Sequence, residues 1–121
     1  MTARVCEALT GMLEHTVARW TLAPHNEARC ELALSAAFES RTVHVVIDRT
    51  FIDEQGTRWI IDYKTSAHEG AGVEAFLDNE VERYRGQLEL YERVMRLQDP
   101  SRRIRLGLYF PLLPAWRVVV I

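Results

Sequence analysis

The sequence predicts one mixed α/β layer domain with the element order αβββαββ. Three observations point there. Apolar residues recur at helical spacing in two segments, residues 3–20 and 73–97. Five short runs rich in β-branched and aromatic residues lie between and after them. The chain has 121 residues, 48% apolar and 26% charged, which suits one core and leaves no room for a second domain of ordinary size.

Each element has its own signal. In residues 3–20, Val5, Leu9, Met12, Leu13, Val17 and Trp20 share a helix face. Pro24 breaks the chain within residues 22–26. Residues 28–38 read as a strand, with Cys30, Leu32 and Leu34 apolar against Arg29, Glu31 and Ser35. Residues 42–52 are a second, β-branched strand. The run Asp53-Glu54-Gln55-Gly56-Thr57 has hairpin-turn chemistry, and residues 58–65 form the third strand. A glycine-bearing loop, residues 66–72, leads into the long helix. Its apolar positions are Val73, Leu77, Val81, Tyr84, Leu88, Tyr91 and Met95, and Asp99-Pro100-Ser101 stops it. Residues 104–110 and 116–121 are two last strands around Pro111 and Pro114.

Charge and cysteine content exclude several classes. The net charge is −2, so any contact with nucleic acid relies on a local patch, a metal or a larger partner rather than on bulk charge. The two cysteines, Cys6 and Cys30, lack CxxC spacing, which excludes a zinc ribbon, a thioredoxin motif and an iron–sulfur cluster held by this chain alone. They are expected as buried thiols of a cytoplasmic protein. No segment has a signal-peptide core or the run of about eighteen apolar residues that spans a membrane. The loop at residues 66–72 lacks G-K-[ST], so no Walker A site is present. Fourteen of the fifteen basic residues are arginine, and the one lysine is Lys64.

A turn centred on Gln55 pairs residues whose numbers sum to 110. Ile52 then faces Arg58, Thr50 faces Ile60, and Asp48 lies opposite Asp62, with Lys64 on the same face. Val46, Thr50 and Ile60 are the expected neighbours of the acids, and Phe51 and Trp59 pack on the other face. Opposed Cβ atoms are about 4.5–5.5 Å apart, and like charges there repel. Two carboxylates facing one point, without a His/Cys set, describe a hard-cation site. Mg²⁺ there acidifies a water for attack on a phosphate, and Lys64 stabilises charge or orients that water. Alternatively, Arg49 and Lys64 neutralise the acids in an ion-paired hairpin.

Ile47-Asp48-Arg49, Ile61-Asp62-Tyr63-Lys64-Thr65-Ser66 and the helical Gln87-x-x-x-Tyr91 occur in that order. They resemble the PD-(D/E)XK nuclease superfamily, and within it the RecB-like nuclease domain of bacterial UvrD-type helicase–nucleases. The likeness runs from about Trp20 to Trp116. It implies a restriction-endonuclease-like core in which Asp48 and Asp62 are metal ligands and Lys64 is the catalytic lysine. It further implies that the Tyr63 carbonyl completes the metal's coordination, and that Gln87 and Tyr91 brace the site and contact DNA. Tyr84 falls on the same helix face. The alternative for Gln87 and Tyr91 is the edge of an amphipathic helix's core stripe, on which Tyr91 lies.

The family pattern is not matched everywhere. Val45-Val46-Ile47 stands where a glycine is usual. The family's additional ligand, often the histidine of G-x-x-x-H, is left open between Glu31, His15 of Gly11-Met12-Leu13-Glu14-His15, and a residue before Met1. His68 and Glu69 are expected in a solvated loop. Arg102, Arg103 and Arg105 form a basic run without acids nearby, either a phosphate-contacting patch or a solvated strand edge.

The resemblance implies a Mg²⁺-dependent deoxyribonuclease of exonuclease type, with Mn²⁺ as an alternative ion. It implies DNA as substrate and a helicase motor as partner, in recombination and double-strand-break repair in the bacterial cytoplasm. The chain is then the C-terminal nuclease core of a larger helicase–nuclease. A catalytically silent DNA-clamping or structural domain of the same machine is the alternative.

Overall fold

A computed structural model describes residues 16–121. The elements are α1 (Thr16–Leu22), β1 (Asn26–Phe38), β2 (Arg41–Ile52), β3 (Arg58–Tyr63), α2 (Val73–Gln98), β4 (Ile104–Phe110) and β5 (Ala115–Val119). The expected order holds over these residues. Much of the first expected helix, with Cys6 and His15, lies outside them; the described part runs on to Leu22. β3 ends at Tyr63 rather than residue 65, and β5 occupies Ala115–Val119 rather than residues 116–121.

One five-stranded sheet runs β1-β2-β3-β4-β5. All neighbours are antiparallel except β3 and β4, which are parallel. A parallel pair needs a crossover, and the 26-residue α2 supplies it. The sheet buries both faces. On one, Leu34, Val45, Ile47, Ile60, Leu106 and Leu108 pack against Leu77, Leu88, Tyr91 and Val94 of α2. On the other, Phe51, Trp59, Ile61, Tyr63 and Tyr109 pack against Ala18, with Val17 and Trp20 of α1 beside them.

The β2–β3 register is the expected one. Ile52 pairs Arg58, Phe51 pairs Trp59, Thr50 pairs Ile60 and Arg49 pairs Ile61. Asp53 Oδ1 closes the turn by accepting the amides of Gln55 and Thr57 at 2.9 and 3.0 Å, while Gly56 supplies φ 80°.

Strict alternation, however, fails within β1 and β2. Val45 and Ile47 face α2, but Phe51 belongs to the α1-side cluster and Arg49 reaches the α1 carbonyl of Thr21. Opposite them Leu32 and Leu34 face α2, while Cys30 lies beside Arg49. Both strands therefore change facing between the pairs Leu32–Ile47 and Cys30–Arg49, at the level of Glu31 and Asp48. Glu31 has φ 48°, a left-handed conformation that re-aims a strand. The switch corrects one expectation: Val46 is not a core neighbour of the acids but 54% exposed.

Cys30 is likewise exposed rather than buried. It lies on β1, which forms one edge of the sheet. The run at Arg102–Arg105 does have an acid nearby: Arg102 pairs with Asp99 at 3.0 Å, and Arg105 stacks over Trp59 at 5.4 Å.

The α1 side carries a constraint visible in β4. A Cβ built on Gly107 would lie only 2.1 Å from Cη2 of the Trp116 indole. That indole also contacts Trp20 and Trp59, with ring centroids 5.9 and 5.7 Å away. Gly107→Ala should therefore cost about 1–3 kcal/mol through forced repacking, measured by urea denaturation. An unchanged midpoint would show that Trp116 can leave its seat freely.

Candidate active site

The site forms where the β2–β3 ladder stops. Its last pair is Arg49–Ile61, one position before Asp48 and Asp62 would oppose each other. At that point the Tyr63 amide donates to Asp48 Oδ2 at 2.9 Å. The two aspartates are therefore not a cross-strand pair, as the register alone suggests. Asp48 sits at the facing switch, and its carboxylate caps β3 from the side. The other edge of β3 stays paired: Asp62 and Tyr63 match Leu108 and Tyr109, and the Lys64 amide donates to Tyr109 O at 2.9 Å. A strand residue's N–H and C=O point to the same edge, so the Tyr63 carbonyl opens on the Asp48 gap.

Asp62 has the facing of Ile60, towards α2, and is 3% exposed. Lys64 Nζ lies 2.6 Å from Asp62 Oδ2. The approach lacks hydrogen-bond geometry, and this buried oxygen accepts no hydrogen bond. Burial pushes the Asp62 carboxyl up to about 7, helped by the neighbouring Asp48 carboxylate and opposed by Lys64. α2 completes the enclosure. Lys64 Nζ donates to Gln87 Oε1 at 3.1 Å and stands 4.0 Å from the ring centroid of Tyr84. Tyr91 is buried, and its hydroxyl is pushed up to about 12 by burial and by the charges of Asp62 and Asp48.

The structure thus brings Asp48, Asp62, Tyr63, Lys64, Gln87 and Tyr91 to one place. Other expected participants stand elsewhere. The Arg49 guanidinium does not neutralise the acids; it donates to Thr21 O at 2.8 Å and Ala23 O at 3.0 Å, at the α1 C-terminus. The ion-paired alternative retains only its Lys64 half. Among the described residues, no group of three or more His, Cys, Asp or Glu is gathered as a metal cage. His68 is not merely solvated: it stacks on Phe76 at 4.8 Å and bonds Ala71 O.

One participant was missed in the sequence. Glu80 is 7% exposed on α2, accepts a hydrogen bond from Ser66 Oγ at 3.0 Å, and lies 3.6 Å from Arg83. The available signal was its spacing. Glu80, Tyr84, Gln87 and Tyr91 fall at steps of four, three and four, a line that shares Tyr84 and Tyr91 with the apolar stripe. Glu80 secures the segment that follows Lys64.

The model of the PD-(D/E)XK nuclease superfamily matches residues 1–115. The chain belongs to this superfamily. Among curated proteins none matches the chain. A mixed five-stranded sheet with a helix on each face agrees with the restriction-endonuclease-like fold of PD-(D/E)XK proteins. Membership implies nuclease chemistry on DNA, and these nucleases generally use divalent metal ions.

The residues present fit such an ion. A buried carboxylate oxygen without a hydrogen bond, a second carboxylate and a main-chain carbonyl at the same gap are hard oxygen donors. Mg²⁺ commonly takes one or two carboxylates and keeps several waters, so two acids suffice. No helix among the described residues is long and apolar enough to cross a membrane.

The raised Asp62 value has a definite sign. The metal-free fold binds this proton more tightly than the unfolded chain does. The stabilisation is present in full below the ordinary aspartate value of 3.8 and is lost as pH rises towards about 7. The stability of the metal-free wild type relative to Asp62→Asn should therefore fall between pH 4 and pH 7. The expected loss is on the order of 2–4 kcal/mol by denaturant titration. A pH-independent difference would contradict the assigned burial and crowding of Asp62.

Proposed function

We propose that the chain is a Mg²⁺-dependent deoxyribonuclease core that hydrolyses phosphodiester bonds, with Mn²⁺ able to substitute. The observation that carries this reading is the buried Asp62 oxygen without a hydrogen bond, beside Asp48 and Lys64, in a PD-(D/E)XK domain. Asp48, Asp62 and the Tyr63 carbonyl are the metal ligands. A divalent cation held there supplies positive charge for the scissile phosphate and acidifies a water for attack.

The chain's own residues do the rest. Asp62, once relieved of its proton, would hold the cation together with Asp48. Lys64 Nζ directs the attacking water and stabilises negative charge as it develops on the phosphate. Gln87 Oε1 holds the ammonium on the α2 side, and buried Tyr91 braces that wall. Water adds to phosphorus and gives up one proton to solvent, the bond to one bridging oxygen breaks, and the leaving oxygen takes up a proton.

The motif resemblance supports an exonuclease within a helicase–nuclease of recombination and double-strand-break repair, in the bacterial cytoplasm. A partner motor would then deliver the DNA, in keeping with a net charge of −2. The absence of a three-ligand acidic or histidine cage among the described residues favours a second reading, a silent DNA-clamping domain.

Linear DNA incubated with Mg²⁺ or Mn²⁺ separates the two. Wild type should degrade it, and Asp62→Ala should lose at least about 100-fold in rate. Lys64→Arg should fold normally and lose about as much, because a planar guanidinium cannot replace a compact ammonium here. DNA binding without cleavage by wild type favours the clamp. Normal cleavage by Lys64→Arg overturns the mechanism.

A further inference from the structure

The Lys64 ammonium is held from three directions. Asp62 Oδ2 lies 2.6 Å away, Gln87 Oε1 accepts at 3.1 Å, and the Tyr84 ring centroid lies at 4.0 Å. The first contact lacks hydrogen-bond geometry and the second comes from an exposed side chain. The ring contact differs in kind. A cation 4.0 Å from a centroid is well inside the roughly 6 Å range of the cation–π attraction, and a flat ring demands no single donor angle. Tyr84 is part-buried and packs at the margin of the α2-side core, so its ring is anchored in a way the Gln87 amide is not. A second cation lies near the same ring: Arg83 Cζ is 5.1 Å from its centroid and is tied to Glu80. Glu80 in turn binds Ser66, two residues beyond Lys64.

We propose that Tyr84 is a positioning residue whose ring face, rather than its hydroxyl, fixes Lys64 Nζ for the reaction. The role rests on the nuclease reading, and the geometry does not require a bound metal. A lysine side chain has a flexible four-carbon stem, and any cation entering the Asp48–Asp62 gap repels its ammonium. With Asp62 engaged elsewhere, the ring and Gln87 are what keep Nζ at the gap. An aromatic face holds the charge without removing a proton from it or competing for its donors. All three N–H donors therefore stay available to oxygen acceptors.

Lys64 is the only lysine in the chain, which makes the test clean. Lysine-selective ¹³C and ¹⁵N labelling of the metal-free protein gives one lysine spin system. In wild type and Tyr84→Phe its ε-methylene protons should be shifted upfield by the ring current, with cross-relaxation to the ring protons at position 84. In Tyr84→Leu they should return to the position of a free lysine. In the cleavage assay Tyr84→Phe should retain kcat within about threefold, while Tyr84→Leu loses about tenfold in kcat with KM within about twofold.

An unshifted lysine signal in wild type, or a signal unmoved by Tyr84→Leu, overturns the proposal. So does a Tyr84→Phe that loses as much kcat as Tyr84→Leu, since the hydroxyl would then be the active part. Should Tyr84→Leu fail to fold, the wild-type ring shift and cross-relaxation still decide. A wild type that cleaves nothing yet shows the shifted signal removes the nuclease reading and leaves the ring's hold on Lys64 supported.

Discussion

The hydrogen bond from the Tyr63 amide to Asp48 Oδ2 is the contact on which the site depends. An amide at the point where a ladder opens is a polar group in need of a partner, and leaving it bare and buried costs about 1–3 kcal/mol. A carboxylate is a stronger acceptor than the carbonyl it replaces. The sheet can therefore open between β2 and β3 without losing that bond. Opening is what turns Asp48 from a face residue into an edge residue, so that two acids share one gap. The parallel partner β4 keeps β3 in place, since Asp62 and Tyr63 are paired there through the opened stretch.

The second constraint is charge. Two carboxylates in a buried gap repel each other, and one of them relieves the strain by holding a proton up to about pH 7. Arg49 is adjacent in sequence to Asp48 and could have neutralised it. It is committed to the C-terminal carbonyls of α1 instead. That withdrawal leaves Lys64 as the compensating cation at Asp62. The lone lysine among fourteen arginines then has a structural meaning. The arginines serve ion pairs and ring stacking elsewhere in the fold, as in buried Arg58 and part-buried Arg102 with Asp99, Arg96 with Glu92 and Arg105 on Trp59. A planar fork suits those places, whereas a small ammonium suits a gap that must admit water and phosphate.

Much of this was legible in the sequence because local rules and tertiary structure agree. The Asp53–Thr57 turn fixes its own register through the Asp53 side chain, so the pairing from Ile52–Arg58 to Arg49–Ile61 follows from turn chemistry. The helical spacing of Leu77, Leu88, Tyr91 and Met95 likewise places the α2 face correctly. What escaped was non-local. Period-two counting cannot see that Glu31 adopts a left-handed conformation or that β1 and β2 turn over together at Asp48. It therefore misplaced Val46 and made the two aspartates a directly opposed pair. Glu80 escaped because a charged residue beside an apolar stripe reads as surface until Ser66 is seen to reach it.

Charge also governs how DNA would be held. Arg58, Arg85, Arg96, Arg102 and Arg117 each have a carboxylate partner, so their positive field is largely cancelled. Bulk attraction to a phosphate backbone grows with the number of unpaired cations, and few of the paired ones can contribute to it. In the gap, one phosphate would meet the metal charge held by Asp48 and Asp62 together with the ammonium of Lys64.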